Sequence, residues 1–178
     1  MKKTLNILVL CAAALTFAAC AQTSRSVQTS KSVKTGKSVK RDIGMSSSFD
    51  EVQGKAWVLD ELVRESGGTA IINRQKLDAD GFGDAYTLMV DTERISGKGA
   101  PNRYFSPYTL GPDQKISINP IAGTLMASLV EPEGLKEREY YSLLEQVNQW
   151  QLTGGKLKLY SKTPNGEPVI LIYTAKDQ

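Results

Sequence analysis

The side chains that most often carry out catalysis are either absent from this sequence or not spaced in a pattern that identifies an active site. None of its 178 residues is histidine, so the commonest general base, triad member and zinc ligand is absent. Asp and Glu are plentiful, at 19 residues, and a pair of carboxyl groups brought together by folding is able to hydrolyse glycosidic bonds. No spacing in the sequence identifies such a pair. We therefore predict no catalytic residue, no cofactor and no enzymatic activity.

One acidic stretch, Leu77–Asp84, has the D-x-D-G-x-G-D spacing of some calcium loops. A calcium loop of the EF-hand type, counted from Asp78, also needs an oxygen ligand at position 5 and a glutamate at position 12. Those positions hold Phe82 and Met89. The pattern therefore favours a solvated, turn-rich loop over a calcium site, and we predict no metal.

A cluster of aromatic residues beside an arginine is the best candidate for ligand contact. Aromatic rings and a guanidinium group can stack on a sugar or a peptide. The alternative, which these residue types favour, is packing in the core or at its rim. The candidate ligand-contact residues are Arg103, Tyr104, Phe105 and Tyr108.

The N-terminus has the features of a bacterial lipoprotein signal peptide over residues 1–19. Two lysines precede an apolar run of 13 residues, Leu5–Phe17, which is shorter than the roughly 20 residues that span a bilayer. The run ends in Phe17-Ala18-Ala19-Cys20, which resembles a lipobox. Cys20 is then the lipidation site, carrying palmitate among its acyl chains. Phe17 departs from the usual aliphatic residue, and an ordinary signal peptide is the alternative.

Residues 20–54 are predicted to be the lipidated cysteine and a flexible basic linker. A six-residue polar repeat fills Ser24–Arg41, and such low-complexity sequence cannot build a core. Residues 1–41 contain eight basic residues and no acidic one, which leaves 14 basic and 19 acidic residues, a net charge of −5, in residues 42–178. The basic linker either contacts anionic lipid or acts as a solvated spacer. Because the domain itself is acidic, nucleic acid is not a predicted partner.

The remaining residues, 55–178, are predicted to fold as one α+β domain. Apolar residues at helical spacing, Tyr140, Leu143, Leu144 and Val147, predict one main α-helix. Period-two patterns predict strands around it, joined by the glycine-rich turns of β-hairpins. The predicted strands are Ala56–Leu59 with Leu62–Val63, Ala70–Ile72, Tyr86–Val90, Lys115–Asn119, Leu157–Leu159 and Val169–Tyr173. We predict a curved, open-barrel-like antiparallel sheet packed around the helix, with Trp57 and Trp150 in its core.

An ordered set of short motifs along the domain resembles the META domain of HslJ-like heat-shock lipoproteins. The set consists of Trp57 and Leu59; Ser96-Gly97 with Gly99 and Asn102; Thr124 with Met126-Ala127; Glu139-Tyr140-Tyr141 with Leu144 and Val147; and Gly154–Leu159. The resemblance implies a small antiparallel sheet curling around a helix, a link to envelope stress tolerance, and no established enzymatic activity. The family often has a cysteine before Asn102 and at position 128. Pro101 and Ser128 stand there, so a disulfide or redox role is not expected.

These observations predict a non-enzymatic, lipid-anchored cell-envelope protein that binds or stabilises a partner during envelope stress. Its expected partners are the membrane, through the acyl chains, and an envelope protein or cell-wall component. Ala21, which follows Cys20 in place of an aspartate, favours the outer membrane, facing the periplasm, over the inner membrane. The alternative is a carboxylate-dependent hydrolase of envelope glycans. A cleft with two facing carboxylates would favour the hydrolase, and an exposed apolar groove the binding protein.

Overall fold

Ten strands in antiparallel pairs form one sheet in the computed structural model, which describes residues 48–176. The signal peptide, Cys20 and the linker as far as residue 47 lie outside the described residues. The strands are β1 Ala56–Arg64, β2 Ile72–Asn73, β3 Thr87–Val90, β4 Arg94–Lys98, β5 Arg103–Leu110, β6 Ile116–Ile118, β7 Ala122–Gly123, β8 Gln149–Thr153, β9 Lys156–Lys162 and β10 Pro168–Ala175. The helices are a 3₁₀ turn at Phe49–Glu51, α1 at Arg74–Ala79 and α2 at Glu137–Glu145.

The sheet curves until its first and last strands nearly meet. Its strand order is β6-β5-β4-β3-β1-β10-β9-β8, with β2 beside β1 and β7 beside β5. Where β6 approaches β8, Lys115 bridges to Gln149, and the Trp150 N–H donates to the Gln114 carbonyl at 2.9 Å. The predicted curved antiparallel sheet, almost closed into a barrel, is confirmed.

Helix α2 packs its apolar stripe against the inner face of this sheet. Tyr140, Leu143 and Leu144 are buried, and the Ser161 hydroxyl of β9 donates to the Leu143 carbonyl at 2.6 Å. The helix ends two residues before Val147, but Val147 is also buried. The predicted packing of a single main helix by this stripe is therefore confirmed. Within residues 48–176, neither α-helix is long and apolar enough to cross a membrane.

The predicted acidic loop at Leu77–Asp84 is partly helical, which corrects the sequence interpretation. Helix α1 includes Leu77, which is fully buried. The Asn73 side chain caps this helix by accepting from the Lys76 N–H at 2.9 Å. With only one buried residue, a six-residue helix has no apolar periodicity that a sequence pattern can reveal.

The core also includes residues that precede the predicted start of the domain at Lys55. Phe49 and Val52 are buried, and the Trp57 indole N–H donates to the Val52 carbonyl at 3.0 Å. The Phe49 ring lies 4.9 Å from the Trp150 ring. Residues 48–54 therefore pack on the domain, whereas the sequence prediction placed them in the linker. Two isolated apolar residues among polar neighbours give no period on which to base a prediction.

Candidate functional site

The four candidate ligand-contact residues lie on β5, where they point in opposite directions. Because side chains alternate along a strand, Arg103 and Phe105 face outward and are exposed, whereas Tyr104 and Tyr108 face inward and are buried. The Tyr108 hydroxyl donates to the Asp91 carbonyl at 2.6 Å. The structure thus brings only Arg103 and Phe105 of the four to the outer surface.

Inside the sheet, Tyr104 belongs to a hydrogen-bonded cluster of tyrosines. Its hydroxyl donates to the Thr87 carbonyl at 2.8 Å and lies 3.1 Å from the Tyr140 hydroxyl. The Tyr140 hydroxyl lies 3.1 Å from that of Tyr173. Burial raises the pKa of all three, to about 12 for Tyr140. These hydroxyl groups stay protonated at neutral pH, and their role is to satisfy hydrogen bonds within the core.

Glu137, the first residue of α2, holds the loop between β4 and β5. One carboxylate oxygen accepts from the Ala100 N–H at 2.7 Å and from the Asn102 N–H at 2.6 Å. The other accepts from the Asn102 side-chain amide at 2.7 Å. Three donors occupy this carboxylate, so its chemistry is that of a structural acceptor.

Asn102 in turn holds the segment that follows β7. Its side-chain oxygen accepts from the Thr124 hydroxyl and from the Met126 N–H, both at 2.7 Å. Its amide nitrogen donates to the Met126 carbonyl at 3.1 Å. Asn102, Thr124 and Met126 belong to the ordered motif set, but sequence reasoning gave them no role. The Asn102 and Thr124 side chains thus fix the backbone of residues 124–126 against the domain.

The next residues form an exposed apolar segment, Leu125–Val130. Leu125 and Leu129 are almost completely exposed, and Met126 and Val130 are more than half exposed. Contiguous exposed apolar side chains on a soluble domain commonly mark a contact surface. The sequence patterns predict neither a helix or strand nor a contact surface for these residues. Their composition was the available signal, but exposure is a property of the fold.

A groove runs between this segment and α2. It consists of two adjoining depressions of about 500 and 860 Å³, which share Ile121, Arg138 and Tyr141. Gly123 and Leu125 line the first. Glu139, Ser142 and Glu145 are among the residues that line the second. Volumes of this order are typical of ligand-binding clefts.

Most groove carboxylates are engaged by backbone donors, whereas its arginine is not. One Glu145 oxygen accepts from the Ile121 N–H at 2.8 Å, and one Glu139 oxygen accepts from the Lys136 N–H at 3.0 Å. Arg138 is exposed, and its guanidinium group makes no hydrogen bond or ion pair with any residue between 48 and 176. Lys136 and Glu131 also line the groove without an ion pair among the described residues. The groove therefore offers two unpaired cations and one unpaired carboxylate beside apolar side chains.

The stretch considered for calcium binding has no metal-binding arrangement. Lys76 pairs with Asp80 at 2.8 Å, Arg74 lies 3.8 Å from Asp78, and Lys98 pairs with Asp84. Across residues 48–176, no three Asp, Glu, Cys or His side chains lie close enough together to hold a metal ion. Each aspartate has a cation of the protein as its partner.

Comparison with known proteins agrees with this fold. The META domain family profile matches residues 50–175, so the chain belongs to the META domain family, as its motifs predicted. A crystal structure of a DUF4847 family protein from Bacteroides vulgatus ATCC 8482 shares the fold, with a TM-score of 0.51 and 11% identity over 73% of this chain and 98% of the other. An NMR structure of a protein from Burkholderia xenovorans has a TM-score of 0.49 and 22% identity over 72% and 86%. No protein with a curated description matches the sequence significantly.

Proposed function

We propose that this chain is a non-enzymatic, lipid-anchored protein of the cell envelope whose META domain binds a partner through the groove beside α2. The exposed apolar segment Leu125–Val130 carries the proposal, because such a patch loses unfavourable contact with water when a partner covers it. Asn102 holds the beginning of the segment on the domain. The apolar side chains are thereby presented to solvent at a defined place.

The partner is an envelope protein or a cell-wall component, and binding supports envelope stress tolerance. The stress role rests on the likeness to HslJ-like lipoproteins. The groove supports a partner that has both apolar and acidic groups, because Arg138, which has no ion pair among the described residues, lines the same depression as Leu125. A charge at the rim of such a contact mainly sets the rate and specificity of association.

The anchor is Cys20, on the outer membrane facing the periplasm. Two or three acyl chains on one cysteine suffice for stable attachment, whereas a single chain gives only marginal binding. Ala21 at the next position supports sorting to the outer membrane. The linker residues that follow give the domain room to reach partners near the membrane.

The groove gives little support to hydrolysis by a carboxylate pair. Such an enzyme needs one carboxyl group as an acid and another as a nucleophile or base, facing each other across the bond. Glu137, Glu139 and Glu145 each accept hydrogen bonds from backbone N–H groups. Withdrawing any of them for catalysis would leave a backbone donor of the fold without its partner.

Site-specific cross-linking in cells tests the binding function. A photo-reactive amino acid at Leu129, in the exposed segment, should give a covalent adduct of higher mass after illumination. The same amino acid at Arg94, exposed on the outer face of β4, is the matched control and should give little adduct. Equal adducts at both positions, or none at position 129, would contradict the proposal.

The anchor has its own test. Cys20→Ala should move the protein from the membrane fraction to the soluble periplasmic fraction, because the acyl chains supply most of the free energy of membrane binding. Fractionation followed by a high-salt wash measures this. A variant that still sediments with membranes after the wash would show that lipidation is not the anchor.

A further inference from the structure

The edge of β7 that faces α2 has backbone groups available for another strand. The Thr124 N–H donates to the Arg103 carbonyl of β5 at 3.0 Å. Successive residues of a strand direct their N–H and C=O groups to opposite sides. Gly123, which lies opposite Tyr104, therefore directs its N–H and C=O away from β5 and towards the groove.

Leu125 lies two residues beyond the end of β7, but the hydrogen bonds of its two neighbours follow the same alternation. The Met126 N–H and C=O both bond to the Asn102 side chain, so those of Leu125 face the other way. The Leu125 backbone forms no hydrogen bond with any residue of the described part of the chain. On the same side, the Ile121 N–H donates to Glu145 of α2. The available edge thus begins at Gly123 and lies along the groove.

We propose that this edge binds an extended, acidic segment of another envelope protein as an added β-strand. The proposal rests on the proposed binding function and specifies its partner and geometry. Backbone donors and acceptors on alternate residues of an edge are matched by an extended polypeptide. Because α2 forms the opposite wall, the groove accommodates one strand more readily than the edge of a folded sheet.

The exposed Arg138 is the reason why we expect the bound segment of the partner to be acidic. It is exposed and lines both halves of the groove, so a bound segment passes it in mid-course and does not end there. An Asp or Glu side chain within the segment is therefore a better partner for its guanidinium group than a terminal carboxylate. Leu125 and Met126 then contact the apolar side chains of the segment.

The test uses a random library of short linear peptides, selected on the full-length chain purified in detergent. The tightest-binding peptide is synthesised, and amide hydrogen exchange is measured with and without it. The selected peptides should be rich in Asp and Glu. The bound peptide should slow exchange at the amides of Gly123 and Leu125, because those amides acquire strand hydrogen bonds.

Two variants and a matched control complete the experiment. Arg138→Gln should weaken binding of the same peptide about tenfold or more, since a hydrogen bond to a charged group is lost. Leu125→Pro should weaken it similarly by removing an edge N–H that bonds to no described residue. Arg94→Gln, an exposed arginine away from the groove, should leave the affinity unchanged.

The proposal fails if no peptide is selected, or if the bound peptide leaves exchange at Gly123 and Leu125 unchanged. It also fails if Arg138→Gln and Arg94→Gln bind the peptide equally well. Any of these results together with a cross-link from position 129 in cells would refute strand addition and leave the binding function standing. Loss of the cross-link would refute the binding function itself.

Discussion

The hydroxyls of Tyr173, Tyr140 and Tyr104 form a chain of hydrogen bonds with one direction. Tyr104 donates its only proton to the Thr87 carbonyl, so it accepts from Tyr140. Tyr140 has then used its proton and accepts from Tyr173. All three are buried inside the sheet. Each hydroxyl donates one hydrogen bond. The three buried tyrosines therefore keep all of these hydrogen bonds only while every one of them is protonated.

We expect the domain to lose stability in alkali because of these tyrosines. Their folded-state pKa values are raised, to about 12 for Tyr140, above the ordinary value of about 10. Below pH ~10 both the folded and unfolded states are protonated, so the contribution to stability is complete. As the pH rises from there through the folded pKa values, only the unfolded state releases protons, and the free energy of unfolding falls. Urea denaturation at increasing pH measures this loss.

Tyr173→Phe provides the control for this pH dependence. Tyr173 begins the chain and donates to Tyr140, so its removal leaves no donor without an acceptor. The variant should lose less stability in alkali than the natural protein. Formation of buried tyrosinate, seen by ultraviolet absorbance, while the domain remains folded would contradict the argument.

Asn102→Ala should destabilise the domain by at least about 2 kcal/mol, because the Met126 N–H and C=O and a Glu137 oxygen each lose a bond. Thermal or urea unfolding measures this effect. Asn119 is exposed, its side chain bonds to no described residue, and Asn119→Ala should stay within about 0.5 kcal/mol. Equal effects of both changes would show that the Asn102 side chain does not hold the segment.

The role of Asn102 illustrates the limit of sequence reasoning at single residues. The motif set included Asn102, but its side-chain partners lie 22 to 35 residues away. Only the folded sheet brings them together. The opposite directions of the Tyr104 and Phe105 side chains could be predicted from sequence, because strand alternation dictates them once β5 is recognised as a strand.

Helix α2 stabilises the fold through its buried stripe. Leu144 is fully buried, and Leu144→Ala should cost about 2–5 kcal/mol through lost contacts and a cavity. That is a large part of the roughly 5–15 kcal/mol that holds a domain together. The melting temperature measured by calorimetry should fall by many degrees.

Glu145→Ala is the comparison on the neighbouring helix position. Glu145 is exposed but accepts from the Ile121 N–H, so its loss should cost no more than about 1 kcal/mol. Destabilisation comparable to that of Leu144→Ala would mean that α2 does not present one buried stripe to the sheet.

Elements with a regular period were predictable, and elements defined by distant contacts were not. The α2 stripe and the Gly154-Gly155 turn gave local signals, and both glycines adopt positive φ angles, of 59° and 75°. Helix α1 escaped prediction because Leu77 is its only buried residue. The meeting of β6 and β8 depends on residues more than 30 positions apart, such as Lys115 and Gln149.

At the scale of the whole molecule, the basic residues 1–41 and the acidic domain occupy different parts of the sequence. The family match begins at residue 50, and the described core begins at Phe49. Deleting Ser24–Arg41 should therefore leave the melting temperature of the domain unchanged within error. Calorimetry of the two chains makes the comparison, and a drop of several degrees would show that the repeat packs on the domain.

The near-closure of the sheet bears on aggregation. Proteins held on one membrane meet at high local density, and exposed strand edges then promote pairing between neighbouring copies. Here the outermost strands, β6 and β8, come together at Lys115 and Gln149, so neither offers a long edge to a neighbour. If Cys20 anchors the chain as proposed, dense packing on a bilayer is compatible with this fold because its longest strand edges face each other.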